Sequence, residues 1–166
     1  MKKLVGKFLF MILWTAGVIC ICAEYYRPRV YFTPGTDCED NIIREIRRAH
    51  NIDIAVYAIT NKNITDEIIN AHNRGAHIRI ISDRTMARTK DAAIGLLGDA
   101  GVPVITNTHN KIMHNKFAVF DSRRVVTGSY NWTANATRTN AENCVFTIAP
   151  VFGAHFNFLW KLYTTN

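Results

Sequence analysis

The sequence predicts an α/β fold of the α+β sandwich kind, a central mixed β-sheet flanked by helices, and three observations support this. Between about residues 30 and 106, short β-branched or aromatic runs alternate with stretches of helical apolar spacing, the pattern of βαβ units. From Lys116 onward the rhythm changes to two strands joined by a tight turn, so part of the sheet is antiparallel. The 166 residues, 48% of them hydrophobic, suffice for one domain with a buried core, and the pattern holds no internal repeat, low-complexity segment or second domain.

The elements follow in order. Residues 1–23 open with Lys2, Lys3 and Lys7, run apolar from Phe8 to Ala23 and turn polar at Glu24. That is the layout of a secretory signal peptide, and an uncleaved N-terminal membrane anchor is the alternative. Residues 24–166 form the single domain. Its first strand is "RVYFT", stopped by Pro34-Gly35, and Asp37 is the expected N-cap of a helix through "CEDNIIREIRRAH". Ile42, Ile43 and Ile46 share one face of that helix. A strand "IDIAVYAI" follows, then a helix "ITDEIINAHNR" closed by Gly75 at C′. Next come strand "HIRIIS", a loop with Arg84, Arg88 and Lys90, a short helix "DAAIGLLGDA", and strand "VIT" after the turn "GVP". "KFAVFD" and "VVTGS" flank the turn "SRR" as a hairpin, "ENCVFTI" is a further strand, and "VFGAHFNFLWKLY" is a C-terminal amphipathic helix whose aromatic residues read as core.

The net charge of +7 falls to about +4 if residues 1–23 leave, since three lysines and no acids go with them. That balance favours a polyanionic partner without specifying one. Export would also leave Cys38 and Cys144 as the cysteines of the domain, free to pair in an oxidising compartment; the sequence leaves open whether they do.

Chemistry concentrates in "IMHNKFAVFDSRRVVTGSYNWT". On a strand, alternate residues share a face, so His114 and Lys116 point the same way. A neutral imidazole is a nucleophile, and an ammonium beside it stabilises the negative charge of a phosphorus centre under attack. Ser129 and Asn131 follow Gly128 at a strand end, where their donors can approach a phosphate. Asp121 lies five residues beyond Lys116 and faces the other side of a regular strand, which suits a brace for the hairpin or a basic side chain. Arg84, Arg88 and Lys90 are candidates for gripping a nucleic-acid backbone, and Trp132 for stacking on a base or packing under the loop. His50, His72, His77 and His155 have no partner pattern and suit surface or cap roles. No carboxylate cluster for magnesium is present, and His109 with His114 is a poor start for a zinc site, so no metal and no other cofactor is expected.

The spacing His114-x-Lys116-x4-Asp121, followed by Gly128-Ser129-x-Asn131, resembles the His-Lys-Asp signature of the phospholipase D superfamily. "YFTPG", "AVYAIT", "RGAHIRIISD" and "NAENCVF" extend the likeness to the small single-motif bacterial endonucleases of that superfamily, from about Val30 to Trp160. The resemblance implies a phospholipase D/nuclease-like fold with His114, Lys116, Asp121 and Glu142 as the catalytic group and Lys116, Ser129 and Asn131 as the phosphate clamp. It also implies a homodimer, because two histidines are needed and each chain carries the motif once; an isologous interface brings His114 to its symmetry mate. One histidine would attack phosphorus and the other protonate the leaving oxygen, while Glu142 would hold a ring nitrogen.

The expected function is therefore an exported, metal-independent, low-specificity endonuclease acting as a homodimer on DNA, with RNA left open as a second substrate. No base-reading module is visible. A phospholipase D acting on phosphatidyl lipids or cardiolipin is the alternative, and a non-catalytic nucleic-acid-binding protein is a third reading.

Overall fold

The structure, a computed structural model, describes residues 27–165; the signal or anchor reading of residues 1–23 lies outside them. Seven strands form one sheet: β1 (Arg29–Phe32), β2 (Asn51–Val56), β3 (His77–Ser82), β4 (Val104–Thr106), β5 (Lys116–Phe120), β6 (Arg124–Gly128) and β7 (Asn143–Ile148). Their order is β1-β7-β6-β5-β2-β3-β4. β2, β3 and β4 are parallel, and every pairing from β2 through β5, β6 and β7 to β1 is antiparallel, so the sheet is mixed as expected.

Helices α1 (Asp37–Arg48), α2 (Lys62–Asn73) and α3 (Ile94–Asp99) lie among the connections of the first half, α4 (Ala134–Arg138) follows β6, and α5 (Val151–Thr164) ends the chain. Strand alternation builds two apolar layers. On one face Ile54, Ile80, Ala118, Phe120 and Val126 pack with Ile42 and Ile46 of α1 and Ile64 and Ile68 of α2. On the other, Ala55, Ile81, Phe117, Val119 and Val125 pack with Phe156 and Leu159 of α5. Covered on both faces, β2 and β3 are fully buried over their second halves, while Asp53 and Arg79 face each other as an ion pair in their first halves.

The differences from the expected elements have local causes. Thr36, not Asp37, precedes α1, and it makes no side-chain cap; Asp37, Glu39 and Asp40 occupy the first turn, where acids suit the positive end of the helix dipole. α2 starts earlier than its apolar spacing, because the Asn61 side chain accepts from the Ile64 N–H as a true N-cap. α4 was not expected; five residues carry too little periodicity, and the Thr133 cap that starts it is its one signal. α5 is buried on one side only. Phe158 is 61% and Val151 70% exposed, so its aromatic residues are not all core.

Cys38 of α1 and Cys144 of β7 are joined in a disulfide, which settles the question the sequence left open. It pins the start of α1 to the strand that follows α4.

Candidate functional site

The ends of β2, β3 and β4, the start of β5 and the end of β6 meet at one edge of the sheet, and the loops there carry His114, Ser129 and Asn131. This is the carboxyl end of the parallel strands, the usual place for a site in such sheets. β5 begins at Lys116, so His114 stands just before it, in a segment held to β2 by the Tyr57 N–H donating to the Asn115 carbonyl at 2.8 Å.

His114 and Lys116 nevertheless share a side, and Tyr57 defines it. The Tyr57 and His114 rings meet edge to face, with centroids 4.7 Å apart. The Lys116 ammonium lies 5.0 Å from the centre of the same Tyr57 ring and donates to the His114 carbonyl at 3.0 Å. Burial pushes the Lys116 pKa down, and the nearby Glu142 carboxylate opposes that. The His114 side chain remains exposed, as attack on an external phosphorus requires.

Asp83 sets the position of the histidine segment. It is fully buried at the end of β3, and its carboxylate accepts from the backbone N–H of Met113 at 3.0 Å and from those of Thr85 and Met86. Burial alone would raise its pKa, but these three backbone donors and the charge of Arg84 outweigh it and hold the carboxyl below the usual range. Sequence reasoning passed over Tyr57 and Asp83, although both lie in the quoted segments "AVYAIT" and "RGAHIRIISD".

Ser129 is fixed by a reciprocal pair. Its N–H donates to the Asn143 side-chain oxygen at 2.9 Å, and its hydroxyl oxygen accepts from the Asn143 N–H at 3.1 Å. The hydroxyl proton is left to donate outward. Gly128 has φ +150°, and a Cβ there would fall 2.3 Å from the Asn143 carbonyl oxygen, so the approach of β6 to β7 needs glycine. The Asn131 side-chain oxygen is buried without a hydrogen-bond partner among the described residues.

Three expectations are corrected. Asp121 lies at the far end of β5 from Lys116, where it accepts from the His50 and Asn51 N–H groups and pairs with Arg124 at 2.8 Å; it is the brace its strand parity implied and stands apart from the catalytic group. Trp132 is 1% exposed in the core, with its backbone bonded to Ala58, Thr60 and Asn61, and cannot stack on a base. Glu142 does not hold the ring of His114 within the chain. Its carboxylate accepts from Asn140 at 3.1 Å and acts on Lys116 through its charge.

Arg84, Arg88 and Lys90 are exposed, and among the described residues none has an ion pair. Asp83 and the bond from Arg84 N–H to Asn107 tie this loop beside the histidine segment. Among the described residues no three His, Cys, Asp or Glu side chains gather into a metal-binding group. No described helix is long and apolar enough to cross a membrane.

Residues 42–160 match the family described as "Cardiolipin synthase, PLD-like domain". The mitochondrial cardiolipin hydrolase of Chlamydomonas reinhardtii is 37% identical over 116 residues, covering 68% of this chain and 52% of that protein. The phospholipase D of Rickettsia prowazekii is 36% identical, covering 69% and 56%. The chain thus spans about half the length of the curated relatives it matches. Among solved structures, a phospholipase D family member, Nuc, from Salmonella typhimurium superposes with a TM-score of 0.76 at 24% identity, covering 82% of this chain and 95% of that one. NucT from Helicobacter pylori gives a TM-score of 0.75, also at 24% identity, covering 82% and 96%. The overall fold agrees with theirs, and the family match runs across most of the described residues, with relatives above 30% identity over two thirds of this chain: the chain belongs to the phospholipase D superfamily.

Proposed function

We propose that the protein is a phosphodiester hydrolase that needs no metal, a low-specificity endonuclease cleaving DNA and also RNA as an exported homodimer. The observation that carries this reading is the exposed His114 imidazole beside the Lys116 ammonium on the Tyr57 ring. His114 of one protomer attacks phosphorus as the bond to the leaving oxygen breaks, and protonated His114 of the other gives that oxygen its proton. The product is a phosphohistidine. Water then attacks phosphorus, the second histidine takes the water's proton, and the first histidine leaves. Lys116 balances the charge on the phosphorus oxygens, with Ser129 donating beside it. The dimer is argued from need: among the described residues no second histidine ring contacts that of His114. The disulfide supports export, because such bonds persist in oxidising compartments. Arg84, Arg88 and Lys90 support a polyanionic substrate gripped by its backbone.

A lipid substrate is the second reading. It is favoured by the names of the Chlamydomonas and Rickettsia relatives and by Ile112, 52% exposed two residues from His114. Digestion of plasmid DNA and of fluorescent phosphatidylcholine and cardiolipin in EDTA, with His114→Ala as control, separates the two. DNA cleavage that vanishes in the variant establishes the nuclease; lipid turnover with intact DNA overturns it in favour of the phospholipase. Protection of DNA without cleavage would make the protein a binder.

A further inference from the structure

At the end of the sheet opposite His114, a cavity of about 730 Å³ opens under the last turn of α1, with Arg29, Arg48 and Arg124 in its wall. The length of β5 separates it from the catalytic edge, roughly 17 Å at the usual strand rise. Three guanidinium groups there share one carboxylate, Glu45, which is 3% exposed. Glu45 accepts from Arg29 at 3.4 Å, from Arg124 at 2.9 Å, and from two nitrogens of Arg48, one of them at 3.0 Å. Four N–H donors fill the acceptor positions of a carboxylate. Arg124 has a further anion in Asp121, but among the described residues Arg29 and Arg48 have none and retain N–H donors with no partner. The surface beside them is partly apolar, with Pro28 and Ile148 over the buried Phe120 and Phe146, and the Arg29 guanidinium lies 5.6 Å from the centre of the Phe146 ring.

The geometry points to a second anion site, distinct from the catalytic edge, that takes a phosphate monoester. The phosphate oxygens accept from the spare donors of Arg29 and Arg48, and the organic part lies along the apolar side chains. Planar guanidinium forks match phosphate oxygens, and the cavity is large enough for a small molecule, with a mixed lining in which arginines alternate with apolar side chains. The inference does not depend on the reaction assigned to His114.

The test titrates the full chain with inorganic phosphate and, separately, with adenosine 5′-monophosphate, read by calorimetry and by the rise in melting temperature. Arg29→Gln/Arg48→Gln and the single Arg48→Gln are compared with Lys116→Ala. Saturable binding of the monophosphate is expected, weakened about tenfold or more by loss of the charged pair and unchanged in Lys116→Ala. Tighter binding of the monophosphate than of phosphate would assign a role to the apolar side chains; equal affinities would support the anion site with phosphate as its ligand. Binding that is lost in Lys116→Ala and kept in the arginine variants would place the anion at the catalytic edge and overturn the proposal. So would the absence of saturation by about 10 mM in the parent chain. Both arginines are about half exposed, so the variants are expected to fold, and their melting without ligand checks this. DNA hydrolysis by the same variants, measured separately, reports on the catalytic reading alone.

Discussion

The buried carboxylate of Asp83 accepts a hydrogen bond from the Met113 backbone N–H at 3.0 Å, one residue before the exposed histidine. This bond crosses from the end of β3 to the start of β5 and fixes where the His114 segment begins. The other carboxylate oxygen caps the turn that leads into the loop of Arg84 and Arg88, so one side chain positions both the His114 segment and the adjoining cations.

Asp83→Asn keeps the shape but loses the charge and one acceptor, leaving a buried backbone N–H without a partner. Hydrogen bonds to charged groups contribute about 1.5–3 kcal/mol each, so the variant is expected to melt several degrees lower. Hydrolysis should fall by about ten- to a hundredfold through displacement of His114. An unchanged kcat at a temperature where the variant is folded would remove Asp83 from any positioning role.

Tyr57 supports His114 and Lys116 through its ring, and no hydrogen bond of its hydroxyl enters that contact. Tyr57→Phe should therefore retain activity within a few-fold, whereas Tyr57→Leu removes both ring interactions. An aromatic pair contributes about 0.5–1.5 kcal/mol and an exposed cation–π contact about 0.5–1 kcal/mol, together roughly a five- to seventyfold loss if both act in the transition state. The loss should appear in kcat more than in KM. Equal activity of the phenylalanine and leucine variants would show that the ring has no such role.

Asp121 and Asp83 make opposite predictions from similar titrations. Burial tends to raise the Asp121 pKa, but the His50 and Asn51 N–H groups and Arg124 outweigh it and hold the carboxyl below its usual range. A carboxyl depressed on folding adds stability that is present above its unfolded pKa, near 3.9, and is lost as pH falls through the lower folded value. Asp121→Asn should thus flatten the loss of melting temperature below about pH 4 and lower stability at neutral pH by about 1–2 kcal/mol. Its kcat should stay within a few-fold of the parent, because it lies at the end of β5 away from Lys116. A collapse of kcat in this variant at full foldedness would return Asp121 to the catalytic group.

The contrast shows what the sequence could and could not display. Strands His77–Ser82 and Val104–Thr106 are found where they were expected, because β-branched runs there are bounded by Gly75 and by Gly101-Val102-Pro103. His114, Lys116, Ser129 and Asn131 could be singled out as candidates because they lie within one short stretch of regular spacing. Tyr57 and Asp83 directly follow strands dozens of residues earlier, and only the order β5-β2-β3 brings them to the histidine. Period-two alternation reveals that a strand exists, not which strands flank it. Trp132 was ambiguous for a related reason: its backbone bonds to Ala58 and Thr60 are long-range, and they draw it inward.

The Cys38–Cys144 bond closes a chain separation of 106 residues, so its effect is expected mainly on the unfolded state. For a loop of that length the chain-entropy estimate is about 4.7 kcal/mol, at the upper end of the roughly 2–5 kcal/mol lost when native disulfides are removed. For a domain of this size that corresponds to roughly 5–15 °C in melting temperature. Adding reductant to the parent should lower the transition by that amount, and Cys38→Ser/Cys144→Ser should melt at the reduced value with or without reductant. Cys144 adjoins Asn143, which holds Ser129, so kcat of the folded double variant tests whether the bond also tunes the site. The placement of His114 on Tyr57 and Asp83 involves neither cysteine, and kcat at 25 °C should stay within a few-fold. A parent chain whose melting is indifferent to reductant would show that the bond does not form in solution and would withdraw its support for export.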